Sequence, residues 1–341
     1  MAFWSIDLRS LDGTSLVQAA APFASAQIKW TLEGPGAAEI TLAPNDISSN
    51  WLYGQRRVLI KDGAGTSRYQ GWLDRLDRSG KPSDIRYRAS SRGLAAILFQ
   101  RAVHGDFPQV ATVATTIARA LITHMVAQTD DKTAFTLGSV TGTAPSRSRW
   151  YCDGDNIGDA INDLAQMDSG FAWEISATGA FNCWVGGRGS DLSGTKTVAP
   201  ADTIEWNCTA DVTELGTYVT GLGDTDDEEP CGPPLVVDFS ALRTTYGRRE
   251  FVISADTRTA GEILEKTTEE LRARGASRIN LRTSWVEGGG PWAFGAVWVG
   301  DLVNAVLGAE FGGTLKVRCI GIMVTLEPGK HEFIEMEWEL Q

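Results

Sequence analysis

The feature that most constrains this chain is alternation of apolar and polar residues with a period of two, which commits most of its length to half-buried β-strands. Trp4, Ile6 and Leu8 alternate with Ser5, Asp7 and Arg9. Ile28, Trp30 and Leu32 alternate with Gln27, Lys29 and Thr31, and Ile40 and Leu42 with Glu39 and Thr41. Val58 to Ile60 is a short apolar run, and Ile85, Tyr87 and Ala89 alternate with Arg86, Arg88 and Ser90. Each pattern predicts a strand with one wet and one buried face, as in antiparallel sheets. Turn sequences separate them: Leu11-Asp-Gly, Gly34-Pro-Gly and Lys61-Asp-Gly. Residues 1 to about 100 therefore read as a small barrel or sandwich.

The next segment, about 101 to 210, reads as α+β. Val110, Val113, Ile117, Leu121 and Met125 recur at steps of three and four, which predicts an amphipathic helix. A shorter helix follows Asp155, with Ile157, Ile161 and Leu164 as its stripe. A hairpin comes next: Phe171, Trp173 and Ile175, a turn at Thr178-Gly179, then Phe181, Cys183 and Val185.

From about 211 to 341 the chain returns to β. Glu250 to Ser254 reads as a strand, and residues 260 to 274 as a helix stopped by Gly275. The apolar side of that helix is Ile263, Leu264, Thr267 and Leu271. Ile279, Leu281, Thr283 and Trp285 alternate with polar residues. The last element is a hairpin. A strand over about 314 to 326 turns at Glu327-Pro-Gly-Lys330, and Ile334, Met336, Trp338 and Leu340 alternate with three glutamates.

Charge argues against a nucleic-acid grip. Thirty-one Lys and Arg face 43 Asp and Glu, a net charge of −12, whereas phosphate affinity comes from cations. Five of the acids crowd the segment 224 to 234: Asp224, Asp226, Asp227, Glu228 and Glu229, followed by three prolines. That composition predicts an exposed loop.

The five cysteines, Cys152, Cys183, Cys208, Cys231 and Cys319, form no CxxC pair, so neither a disulfide framework nor a zinc site is expected. Cys183 and Cys319 fall in strand patterns and read as reduced core residues. The start of the chain has no basic stretch before an apolar run. No segment approaches the roughly 18 apolar residues of a membrane helix. Synthesis in a cytoplasm is the simplest expectation.

Signals of catalysis are weak. The histidines, His104, His124 and His331, lie far apart without metal-ligand spacing. Asp153-Gly-Asp155-Asn-Ile-Gly158 imitates the start of a calcium loop, but Ile157 and Leu164 stand where oxygen ligands are required. Asp155 or Asn156 capping the next helix is the better reading. Gly186-Gly-Arg-Gly189 and Gly288-Gly-Gly290 lack the phosphate-loop pattern and read as turns. A carboxylate pair for glycoside hydrolysis meets only in three dimensions, and 43 acids leave such a pair open. No catalytic, metal-binding or cofactor-binding residue is assigned. Among the twelve tryptophans, Trp292 and Trp298 lie in the glycine-rich stretch 288 to 300. They have two readings: contact with a partner, since aromatic residues are enriched in interface centres, or packing in the core.

The serial order of these pieces resembles the hub proteins at the distal end of bacteriophage tails, shared by siphophage tail tips, contractile-phage baseplates and related injection machines. Gly34-Pro-Gly-Ala-Ala-Glu-Ile-Thr-Leu-Ala-Pro is similar to the early strand pair of that family's first barrel. Arg57-Val-Leu-Ile-Lys-Asp and Tyr69-Gln-Gly-Trp-Leu are similar to its next pair. Arg92-Gly-Leu, leading to Leu98-Phe-Gln-Arg101, resembles the exit into a helical domain, and Asn156 to Ile175 resembles part of that domain. Gly247-Arg-Arg-Glu-Phe-Val-Ile-Ser, the helix to Gly275 and Val299-Gly-Asp-Leu-Val303 resemble the second barrel.

The resemblance implies a mainly β protein: two small barrel-like domains (1–100 and 211–341, the second with one helix) flanking a helix-containing middle domain (101–210), with strands free to cross those boundaries. It implies a non-enzymatic homotrimer of the virion. Such a hub links a sixfold distal tail ring protein to a central fibre, a spike or other minor tail proteins. The tape-measure protein and DNA pass through its channel. No cofactor, specific nucleic-acid binding or membrane insertion is implied. The acidic loop would then face the channel or the outer rim, and the sequence does not choose. Ending at Gln341, the chain would leave lytic or receptor-binding activity to another protein. Two readings of other classes remain beside this one: a module that binds host-surface carbohydrate, and a wall-degrading enzyme.

Overall fold

The structure is a computed structural model. It describes residues 4–32, 34–42, 56–81, 84–128, 131–167, 169–211, 213, 215–223, 235–238, 240, 243–244, 247–254, 260–274, 278–311 and 313–341. The fold is mainly β with a helical insertion.

The first part is all strand: β1 (Ser5–Ser10), β2 (Leu16–Gln18), β3 (Phe23–Thr31), β4 (Ala37–Leu42), β5 (Arg56–Lys61), β6 (Ser67–Lys81) and β7 (Asp84–Gly93). A 3₁₀ turn at Leu94–Gln100 leads to β8 (Phe107–Val113), helix α1 (Ala114–Val126), β9 (Thr136–Thr141), β10 (Ser146–Tyr151), helix α2 (Ile157–Gln166), β11 (Phe171–Ile175) and β12 (Ala180–Val185). The remainder is β13 (Thr197–Val198), β14 (Glu205–Asp211), β15 (Tyr218–Leu222), β16 (Leu235–Asp238), β17 (Glu250–Ser254), helix α3 (Ala260–Arg274), β18 (Arg278–Val286), β19 (Leu302–Val306), β20 (Thr314–Leu326) and β21 (Phe333–Leu340).

One 13-stranded sheet holds both ends of the chain together. Its order is β14-β18-β21-β20-β3-β4-β7-β6-β5-β1-β2, with β19 on β20 and β13 on β19. The two halves join where β20 pairs antiparallel with β3, from Gly321↔Thr31 to Leu326↔Ala26. The alternating residues meet in one core that spans the join: Ile6, Ile28, Ile40, Trp285, Met336 and Trp338 are all fully buried in it. Burial on one face only is what period-two patterning requires. β14 belongs to this sheet through seven registered pairs with β18, from Glu205↔Ser284 to Asp211↔Arg278.

The middle unit has its own core of Leu98, Ile117, Leu121, Ile161, Leu164 and Phe181. Helix α2 begins with Asn156, whose side chain accepts from the Asp159 N–H at 3.1 Å, so Asn156 and not Asp155 is the cap. The first helix begins later than its apolar spacing predicts. Val110 is 76% exposed and lies on β8, which pairs with β10. Val110 and Val113 suit a strand, and Ala111 at φ +48° breaks helical geometry.

Helix α3 covers one face of a separate three-stranded layer ordered β16-β15-β17. Ile263, Thr267 and Leu271 are buried in that contact, but Leu264 is 46% exposed, so the apolar side is narrower than expected. Asp7 also departs from its pattern. Expected on a wet face, it is 5% exposed, bonded to Lys61 Nζ at 2.6 Å and to the Ala20 N–H at 3.0 Å.

Candidate assembly surface

A buried arginine and a close glycine crossing join the middle unit to the large sheet. Arg57 on β5 is 3% exposed. It donates to the carbonyls of Leu11 (2.6 Å), Lys132 (2.5 Å) and Thr133 (2.8 Å), and its guanidinium stacks 4.2 Å over Trp72. Burial lowers its pKa to about 10, against the opposing pull of Asp12 and Asp131, and it stays charged near neutrality. Arg188, after β12, pairs with Glu174 and stacks over Trp184 at 5.5 Å. Beside it Gly189 and Gly300 cross so closely that a Cβ on Gly189 would lie 2.1 Å from the Gly300 carbonyl carbon. Both have positive φ, +97° and +98°. These glycine-rich turns thus make a close backbone crossing.

The stretch 288 to 300 folds back over the join between the sheet's halves. Trp292 is 7% exposed and meets Trp285 and Trp338 edge-on at 5.9 and 6.3 Å. In the single chain it is a core residue. Trp298 is half-buried, 5.2 Å from Trp30 and 5.6 Å from Phe294. Phe294 in turn touches Trp4 at 5.5 Å, and Arg68 lies over both Phe294 and Trp298. Trp298 keeps part of its surface exposed and Trp292 keeps almost none. Glu287 closes this loop by accepting the Phe294 N–H at 3.0 Å. Its pKa is raised by burial, with Glu332 adding to the effect and the Phe294 N–H opposing it.

The acidic stretch Asp224, Asp226, Asp227, Glu228 and Glu229 lies outside the described residues. His124 accepts from the His104 backbone N–H at 3.1 Å and packs on Phe107 at 5.1 Å, so two of the histidines meet although they are 20 residues apart. Asp155 accepts from the Cys152 N–H. Among the described residues no group of three His, Cys, Asp or Glu side chains could hold a metal ion. Burial pushes the Cys183 thiol up to about 12 and raises that of Cys319, so both are inert core thiols. No helix among the described residues is long and apolar enough to cross a membrane.

Three exposed apolar sites escaped the sequence reading. On the β8–β10 ribbon Trp150 is 63% exposed and lies next to Pro108 in register. On the β15–β17 layer the row Val236–Thr220–Val252 faces away from α3, with Val252 65% exposed. Edge strand β9 exposes Leu137 and Val140. The one signal in the sequence was Trp150 itself, an aromatic that follows a run of Ser and Arg and precedes Tyr151. Aromatic residues are enriched in interface centres.

The chain is thus a β-sheet protein with exposed apolar surface, and its fold is that of bacteriophage tail proteins. A tail protein from Neisseria meningitidis superposes with TM-score 0.70 at 12% identity, covering 98% of this chain and 96% of that one. The 43 kDa tail protein of prophage MuSo2 from Shewanella oneidensis gives 0.71 at 14%, covering 98% of each. A component of the type VI secretion system of E. coli, described as structurally similar to the T4 tail proteins gp27 and gp5, gives 0.54 at 10%, covering 98% of this chain and 76% of that one. No family model and no curated protein matches the sequence.

Proposed function

We infer that this chain is a non-enzymatic structural protein of a virion tail, and within the tail the hub of its tip. The observation that carries the reading is the continuous sheet built from both ends of the chain, in a fold shared end to end with tail proteins. A sheet whose two halves are zipped by β3 and β20 would hold two β bodies together in each subunit. Three such subunits would present six bodies in a ring, which suits a sixfold tail ring protein on one side and a threefold fibre or spike on the other. We place the domains, as part of this reading, at 1–100 for a first barrel, 101–210 for a middle unit and 211–341 for a second barrel; β13 and β14, from the middle range, pair into the large sheet. The tape-measure protein and DNA would pass the central channel without specific contact, in keeping with the net charge of −12.

Imaging of the assembled particle tests this. The expected result is three copies in one ring at the tail tip. A sixfold ring of this chain, or a single copy, overturns the hub. Clearing of host cell walls by the purified chain would instead favour the wall-degrading enzyme, and binding of the isolated chain to host cells the carbohydrate module.

A further inference from the structure

A cavity of about 220 Å³ opens on the outer face of the large sheet. Five strands contribute one row of residues to it. Glu205 on β14 pairs with Ser284 on β18, and Ser284 with Glu335 on β21. Glu335 pairs in turn with Met323 on β20, and Met323 with Lys29 on β3. Residues directly opposite each other in antiparallel strands share a face, and all five line the cavity. That face is the outer one, because Thr283 and Met336, one position along, turn into the core, where Thr283 Oγ1 accepts from Trp338.

The charges in the cavity are unevenly matched. Its carboxylates are Glu205, Glu335 and Glu337, and its cations are Lys29 and Arg282. Both cations go to Glu337: Lys29 Nζ lies 3.7 Å from Oε2 and Arg282 Nη2 2.9 Å from Oε1. Gly321 leaves room for this, since a Cβ there would lie 2.9 Å from Glu337 Oε2. Among the described residues no Lys or Arg pairs with Glu205 or Glu335. Glu205 is exposed and Glu335 half-buried, so both are within reach of a solute. Burial raises the Glu335 pKa, the Glu205 charge adds to it, and Arg282 opposes. Ser284 stands between these two carboxylates, one strand spacing of about 4.8 Å from each backbone. It is 2% exposed, and its Oγ has no hydrogen-bond partner. A buried hydroxyl that bonds to nothing is a cost to the fold.

Two carboxylates on either side of a hydroxyl offer three acceptors to one group, and an ammonium carries three donors. Three acids against two bases leave one negative charge, which one monovalent cation neutralises. Met323 adds an apolar wall for a stem. The volume falls below the roughly 300–1,000 Å³ of small-molecule sites, so it takes a side chain and not a cofactor. We propose that this cavity seats a lysine side chain from a neighbouring protein chain, its ammonium between Glu205 and Glu335 and over Ser284 Oγ. The site is built from this chain's own residues and does not rest on the tail reading.

The test follows the Met323 methyl resonance of the full chain, isotope-labelled at its methionine methyls, at neutral pH. The probes are N-acetyl-lysine-amide, its uncharged analogue N-acetyl-norleucine-amide, n-butylammonium and calcium ions. The lysine derivative should shift the resonance saturably, and more weakly as salt is raised. The norleucine derivative should bind at least about tenfold less tightly, because the charge-assisted contacts are lost. Glu335→Gln and Ser284→Ala should each weaken the lysine derivative by at least about the same factor. Ser284→Ala should melt no lower than wild type, since its hydroxyl has no bond to lose. Equal affinity for the lysine and norleucine derivatives, unchanged affinity in either variant, or no saturable shift overturns the site. A lower melting temperature in Ser284→Ala overturns it too, by showing that the fold itself uses the hydroxyl. Tighter binding of n-butylammonium than of the lysine derivative overturns the protein source and leaves a free amine as the ligand. Tighter binding of calcium overturns the ammonium and makes this a metal site. The titration needs no assembled particle, so its failure leaves the ring count untouched and a failed ring count leaves the site standing.

Discussion

The large sheet and the β15–β17 layer are built from the same kind of sequence and end in opposite states. In the large sheet the apolar face is closed over by the sheet's own other half, and Trp285 and Trp338 are 0% exposed. In the small layer α3 covers one face, while on the other Val236 and Val252 stay 44% and 65% exposed. Alternation says that a strand has an apolar face. It does not say whether the chain itself supplies the cover. The closed sheet stabilises the chain, and among the described residues nothing covers the open face.

The strongest test of the closed half is Trp338→Ala. Trp338 is fully enclosed, meets Trp292 edge-on and donates from Nε1 to Thr283 Oγ1 at 2.9 Å. Its loss should cost about 3–5 kcal/mol in urea unfolding, because the neighbours collapse only partly around such a gap. A cost under about 1 kcal/mol would mean that the core across the join is loose, and the contrast between the two regions would fail.

Next in size is Arg57→Ala. It removes three hydrogen bonds to carbonyls and the stack on Trp72, and should cost about 2–3 kcal/mol. Limited proteolysis reads this more sharply than global unfolding. Cleavage should speed up between the 3₁₀ turn and Thr133, where the middle unit leaves the sheet. Asn156→Ala should cost about 1 kcal/mol through the lost cap of α2, measured by the same unfolding curves.

These residues also show what was legible in the sequence. The strands of the large sheet were, because period two survives wherever one face is buried, and the first strand of the last hairpin came out at 314 to 326 as read. The stripe of α2 and the hairpin of β11 and β12 were legible for the same reason. What pairs with what was not. That β20 zips onto β3, nearly 300 residues earlier, leaves no local trace. Arg57 reads in the sequence as a strand-end cation, and only the fold places it under the Lys132 carbonyl. Of the two tryptophans singled out, Trp292 packs in the single-chain core and Trp298 stands partly open, a split that spacing within one loop does not encode.

A pH effect probes the sheet's other end. Burial would raise the Asp7 carboxyl, but the bonds from Lys61 and the Ala20 N–H and the nearby charges outweigh it, and its pKa is lowered. A lowered carboxyl adds stability above the ordinary value of 3.8 and loses that contribution as pH falls through its own lower value. Asp7→Asn should therefore be less stable than wild type at neutral pH, and the gap should close below about pH 4 in thermal melts taken across pH. A gap independent of pH would show that Asp7 acts by shape alone.

The smallest effect concerns the open face and is the most direct test of the comparison. Val252 shares its row with Thr220 and Val236, and among the described residues no element lies over it. Val252→Thr keeps the β-branched shape and replaces a methyl with a hydroxyl that water can reach, so the melting curve of the isolated chain should stay within about 0.5 kcal/mol of wild type. The same change at Val219, 0% exposed on the face under α3, buries that hydroxyl and should cost more than about 1 kcal/mol. The pair of variants differs only in which face of one three-stranded layer is touched. If both cost the same, the outer face is covered by the chain itself and the layer is closed like the large sheet. If only Val219→Thr costs stability, the row at Val252 is held apolar for a reason other than folding. Val252→Asp should then leave the isolated chain folded while reducing its incorporation into particles.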